Sequence, residues 1–141
     1  MKTIEIRALR GPNVFCHCPV LVLTLDLEDY AERDSTTFPG LTERLLATLP
    51  GLYEHRCSRL RRGGFVERLQ EGTYVGHIVE HVALELSGLA GPSSSFGKTV
   101  YGGAPGMYDI AVEYEEGGSI MSVGRIAIFL QGLTFPRMLV K

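Results

Sequence analysis

No stretch of this chain approaches the ~18 consecutive apolar residues that a membrane span requires. Nor does its start carry the basic residues and apolar run of an export signal; Met1-Lys2-Thr3-Ile4-Glu5-Ile6-Arg7 alternates polar with apolar residues. The expectation is a cytoplasmic protein with no membrane partner. Cysteine is scarce, limited to Cys16, Cys18 and Cys57. An odd count argues against a disulfide framework and fits a reducing compartment. Cys16-His17-Cys18 leaves one residue between its thiols, tighter than the usual spacing of a zinc site, and reads as a turn before the next strand. Charge of one sign is not in excess, with 14 basic and 16 acidic residues, so nucleic acid is not a favoured partner. A Gly-x-Ser-x-Gly elbow, a Walker loop and a Gly-x-Gly-x-x-Gly fingerprint are all missing. Gly97-Lys98-Thr99 lacks the earlier glycine of a phosphate loop and reads as a turn into a strand.

What is present describes one ordinary domain. The 141 residues are 45% hydrophobic and 21% charged, enough to bury a core without a staple. Alternation predicts a strand over 2–8, and the aliphatic run Val20 to Leu25 predicts a buried one. Phe38-Pro39-Gly40 opens a helix through Leu41, Leu45, Leu46 and Leu49, which Pro50-Gly51 ends. Phe65 to Leu69 predicts a short amphipathic turn, and a central helix follows from about Thr73 to Leu89. A loop over 91–95 leads to strands at Lys98–Tyr101 and Tyr108–Tyr114, and a last helix is predicted over 120–130. Strands and helices do not alternate regularly. The expected fold is α+β, a single compact domain with a mostly antiparallel sheet and helices packed on one face.

The chemistry concentrates in the central helix, in Gly76-His77-Ile78-Val79-Glu80-His81-Val82-Ala83-Leu84-Glu85-Leu86. At about 100° per residue, the apolar positions Val75, Ile78, Val79, Val82, Leu86 and Leu89 form a core face. His77 and His81 lie on another side with Glu80. Imidazoles at i and i+4 are neighbours and can chelate one divalent ion, typically zinc. A nearby carboxylate that is not a ligand can act as the base for hydrolysis, here Glu80. The spacing H-x-x-E-H is that of inverzincins, but a pattern with three fixed positions also arises as a plain polar helix face. A catalytic zinc takes three protein ligands. Glu85 is the first candidate for the third, with Glu113, His55 and Cys57 also open. A basic run contains Arg56, Arg59, Arg61 and Arg62. Such a run either solvates a loop or binds an anionic partner.

Together these segments resemble the N-terminal domain of cyanophycin synthetases. The resemblance rests on Leu9-Arg10-Gly11-Pro12-Asn13, Leu25-Asp26-Leu27-Glu28-Asp29 with Ala31-Glu32-Arg33, Glu54-His55-Arg56-Cys57-Ser58 and Gly63-Gly64-Phe65. It continues through Gly72-Thr73, the H-x-x-E-H helix, Leu89-Ala90-Gly91, Phe96-Gly97-Lys98-Thr99, Pro105-Gly106 and Glu113-Tyr114-Glu115, in order over residues 1–116 of a domain spanning 1–141. The family's enzymes build a poly-aspartate backbone carrying arginine on its side chains, with two ligase domains that lie downstream and do not fit in this chain. The resemblance therefore implies no ligase activity here. It implies either metal-dependent cutting of the polymer into primers or simple tethering of the polymer. His77 and His81 match the family's metal-binding histidines and Glu80 its catalytic acid/base. By charge complementarity with such a polymer, the arginines from Arg56 to Arg62 would meet its carboxylates, and Glu28, Asp29, Glu115 and Glu116 its arginines, unless these exposed charges simply solvate. Other synthetase domains or a second copy of the chain are the remaining expected partners.

Overall fold

A computed structural model describes residues 1–90 and 96–115. The predicted last helix, the 91–95 loop, Glu116 and the tail lie outside the described residues. Four strands form one antiparallel sheet in the order β1-β2-β4-β3: β1 is Lys2–Leu9, β2 Val20–Asp26, β3 Gly97–Tyr101 and β4 Met107–Glu113. The helices are α1, Leu41–Thr48, α2, Gly64–Glu71, and α3, Val75–Ala90. The α+β reading and its antiparallel sheet hold.

Strand alternation decides where the core goes. On β2, Leu23 and Leu25 face the helices, and Leu23 stands opposite Ile110 of β4. The main core joins them to Phe38, Leu41, Leu45, Leu52, Phe65, Leu69, Ile78, Val79 and Val82. Val20, Val22 and Ala111 point to the other face, where Leu9, Phe15, Cys16, Cys18 and Phe96 pack on them. The central strands therefore read as continuous apolar runs because both of their faces are covered.

Three sequence expectations change. Phe65 to Leu69 belongs to a two-turn helix, α2, whose Phe65, Val66 and Leu69 are buried at helical spacing and drive the extra length. Leu89, placed on the core face by periodicity, is 70% exposed, because α3 runs past the end of the core. Cys16 and Cys18, expected as free thiols in a turn, form a disulfide with their Cα atoms 5.3 Å apart. The turn is built by Asn13, whose Oδ1 accepts the backbone N–H of Phe15 and Cys16 and whose Nδ2 donates to the Cys18 carbonyl. That bond removes the tight Cys-x-Cys as a zinc pair.

The segment between α1 and α2 wraps over α3. It runs through 3-10 turns at Pro50–Glu54 and Cys57–Arg59. Two features let it lie close. Gly64 has no room for a side chain, since a Cβ there would collide with the Arg56 carbonyl. Cys57 and Leu60 both take left-handed backbone (φ 56°), where non-glycine residues are rare. The loop is thereby bent so that His55 and Cys57 both reach α3. At the other end, Ser35 Oγ donates to the Leu69 carbonyl (2.7 Å) and accepts from Thr73 N–H (2.9 Å), tying the end of α2 to the start of α3.

Phe65 is fully buried at the meeting point of α2, α3 and this loop. Truncating such an aromatic costs about 3–5 kcal/mol. Phe65→Ala should lower the stability of the chain by that order in urea titrations, whereas Leu89→Ala should change it by less than about 0.5 kcal/mol.

Candidate metal centre

The face of α3 that carries His77, Glu80 and His81 is buried, not solvated: the three residues are 8%, 9% and 5% exposed. They line a cleft of about 690 Å³ with His55, Cys57, Arg68, Tyr74, Glu85 and Thr99. The helical wheel separates this face from the apolar one, although Glu80 still reaches Thr99 of β3. It does not foresee that the 49–64 segment and α2 cover it.

Phe65 is the floor of the site. Its ring stacks on His81 at 4.0 Å between centroids and 19° between planes, and it meets His77 edge-on at 5.7 Å. The two imidazoles turn their Nε2 atoms toward each other, 3.1 Å apart. Cys57 Sγ lies 3.1 Å from His77 Nε2. Cys57 Sγ and one ring nitrogen from each of His77 and His81 all lie within 4.8 Å of one another, and His77 Nε2 is 3.1 Å from both Cys57 Sγ and His81 Nε2. Among the described residues they are the only such group of His, Cys, Asp and Glu.

This donor set fits zinc. Imidazole and thiolate are its usual ligands, and two Zn–N bonds of about 2.0–2.1 Å at the tetrahedral angle leave their nitrogens about 3.3 Å apart. The far nitrogens of both imidazoles are engaged from behind, as metal-bound histidines require. His77 Nδ1 meets Thr73 Oγ1 at 2.8 Å, and His81 Nδ1 meets His55 Nδ1 at 2.8 Å. Burial, then Arg68, lowers the His77 pKa to about 4. Burial, then His77, His55 and Arg68, lowers that of His81 to about 2. Both rings are neutral near pH 7, the form that ligates metals. A Cys57–His77 pair also looks like a thiol nucleophile with its base. A histidine held at about 4 is a poor acceptor for a thiol proton, and the convergence of a second imidazole on the same point belongs to metal binding.

Glu80 sits beside the triad. Thr99 Oγ1 of β3 donates to its Oε2 at 2.5 Å. Burial raises the Glu80 pKa above the ordinary glutamate value, and the Thr99 hydroxyl opposes the rise.

The remaining predicted residues separate. Glu85 stands one step outside the triad, with Oε2 3.0 Å from His55 Nε2. Glu113 accepts the Phe96 backbone N–H at the end of β4 and is not in the triad. Arg56 lines the cleft. Arg59 pairs with Glu67 and Glu71, Arg61 with Glu67, and Arg62 with Glu54, all at the surface. Glu28 pairs with the N-terminal amine, while Asp29 and Glu115 are exposed. Thr73, Thr99 and Arg68 were not foreseen. Thr73 lies four residues before His77, a spacing that points to it in hindsight, but Thr99 and Arg68 carry no local signal.

Residues 22–132 match the family model described as cyanophycin synthase-like N-terminal domain. The chain belongs to this family. Cyanophycin synthetases of Geminocystis herdmanii and Synechocystis sp. are 49% and 47% identical to it over 134 and 132 residues, 92% of this chain in each case. That of Crocosphaera subtropica is 45% identical over 132 residues. The chain spans about 15% of the length of these curated relatives. The family match continues past residue 116, where the motif-based resemblance stops.

No helix among the described residues is long and apolar enough to cross a membrane. The buried imidazoles of this cyanophycin synthase-like domain set its acid response. Their folded pKa values lie below the ordinary value of 6.5, so below that pH the unfolded chain binds protons that the folded chain refuses. Stability of the metal-free chain should therefore fall as pH drops from about 6.5 toward 4. Replacing His81 by glutamine should flatten that slope in denaturant titrations across the range.

Proposed function

We propose that this domain is a zinc-dependent peptide hydrolase that cuts a cyanophycin-like arginine/aspartate polymer into short primers. The observation that carries the reading is the convergence of Cys57, His77 and His81 beside a buried carboxylate in one cleft. The names of the relatives supply the polymer. Cys57, His77 and His81 would hold the ion, leaving Glu80 outside the ligand set. A bound zinc supplies Lewis acidity, which makes water a nucleophile near neutral pH and polarises the scissile carbonyl.

The protein's own residues perform the proton transfers. Glu80 takes a proton from the attacking water as its oxygen bonds to the carbonyl carbon. It then gives that proton to the amine nitrogen as the C–N bond breaks. Water is thus added across one peptide bond and Glu80 returns to its starting state. Thr99 holds the Glu80 carboxylate in place and keeps its pKa from rising further. Arg68, in the cleft wall, has no carboxylate partner among the described residues and is placed to steady developing negative charge.

A second reading, a non-catalytic tether, has its own support. Arg56 and Lys98 also line the cleft and carry no carboxylate partner among the described residues, leaving them open to polymer carboxylates. The two readings divide on one assay. Purified cyanophycin incubated with the zinc-loaded chain should be shortened, and a chelator should stop the reaction. Glu80→Gln should slow it by at least about 100-fold, the usual scale for a lost general base. Polymer that binds and stays intact with zinc present would leave only the tether. Thr99→Val removes the bond that lowers the Glu80 pKa, so the acid limb of the rate profile should move to higher pH.

A further inference from the structure

We propose that Glu85 and His55 are positioning residues that fix His81 in its metal-ligating tautomer, and that Glu85 is not itself a ligand. The proposal rests on the metal reading above and adds roles for two residues in its outer layer.

The argument follows the hydrogens. An ionised carboxylate has no proton to give, so in the 3.0 Å contact between Glu85 Oε2 and His55 Nε2 the imidazole donates. A neutral imidazole with its hydrogen on Nε2 has a bare Nδ1, which can only accept. That bare atom lies 2.8 Å from His81 Nδ1, so His81 is the donor of this second bond and carries its own hydrogen on Nδ1. His81 Nε2 is then left with a free lone pair, and it is this atom that faces His77 Nε2, itself 3.1 Å from Cys57 Sγ. One carboxylate two bonds away thus selects which nitrogen of His81 is available. His77 Nδ1 has a nearer partner in Thr73 Oγ1, a hydroxyl that can accept from it in the same tautomer.

The packing holds the relay in place. The His55 and His81 side chains stand 5.1 Å apart between centroids, and Phe65 backs them both at 6.2 and 4.0 Å. Glu85 comes from the same helix as His81, four residues on, so its carboxylate rises on the same side. Gly51 leaves the space it occupies: a Cβ there would collide with the Glu85 carboxylate. The obstacle is the free end of a flexible side chain and Gly51 has no positive φ, so Gly51→Ala displaces the carboxylate while sparing the backbone.

The test uses the 141-residue chain loaded with cobalt(II) or zinc. Zinc affinity is read by competition with a chromophoric chelator, coordination by the cobalt visible spectrum, and folding by circular dichroism of the metal-free protein. Glu85→Ala and Gly51→Ala should each weaken zinc binding about 10- to 100-fold, the scale for lost outer partners of metal ligands. Glu85→Gln keeps an acceptor oxygen and should recover most of that loss. In all three variants the cobalt bands should keep the parent's position and intensity per bound ion. Affinity within about twofold of the parent in both Glu85→Ala and Gly51→Ala would overturn the positioning role while leaving the metal centre standing. Changed cobalt bands in Glu85→Gln would overturn it as well, by making Glu85 a ligand. A parent chain that takes up neither ion would instead sink the metal reading on which the proposal rests.

Discussion

Polar side chains on a buried helix face cost free energy unless each one finds a partner. On α3 that face carries two histidines and a glutamate, sealed by Phe65 from below and by the 49–64 segment from above. Most of the local architecture answers this constraint. Thr73 and Thr99 supply hydroxyls, His55 supplies a ring nitrogen, and Glu85 engages His55 in turn. The left-handed backbone at Cys57 and the close passage at Gly64 bring the loop within reach. Strain of this kind persists only where surrounding contacts over-determine it. Here it aims a thiol at a pair of imidazoles, an arrangement with little value to stability alone.

The strands were readable because their signals are local. Alternation in β1 and the aliphatic run of β2 gave boundaries within a residue of those observed. The H-x-x-E-H spacing put His77, Glu80 and His81 on one helix, off its apolar face; the structure keeps the histidines together and turns Glu80 toward Thr99 of β3. What the sequence could not reveal is how the other wall is built. Cys57 lies 20 residues before His77, and Thr99 lies 19 after Glu80. No periodicity spans such distances. Cys57 therefore stood as one option among four for the third donor. The basic run was legible as charge, but the surface pairing of Arg59, Arg61 and Arg62 with Glu54, Glu67 and Glu71 depends on how the loop folds over α2. The Cys16–Cys18 bond was hidden for a similar reason, since it follows from a turn organised by Asn13.

Family membership and site geometry bear on different questions. The first connects the chain to proteins named for making cyanophycin, of which it spans about 15%. The second describes a cleft whose donors suit zinc and whose carboxylate suits proton transfer, chemistry unlike ligation. A hydrolytic centre within a polymer-making family is coherent if short pieces of polymer serve as starting points for extension. In that view the sheet and core form a scaffold, and the loop from α1 to α2 supplies the residues that turn a helix into a metal centre.

The central claim is that Cys57, His77 and His81 together bind one ion. X-ray absorption at the zinc edge tests it most directly, on the intact chain loaded with one equivalent. The account predicts one sulfur at about 2.3 Å and two imidazole nitrogens at about 2.0–2.1 Å, with the sulfur lost in Cys57→Ala. A first shell without sulfur, or one unchanged in Cys57→Ala, would contradict it.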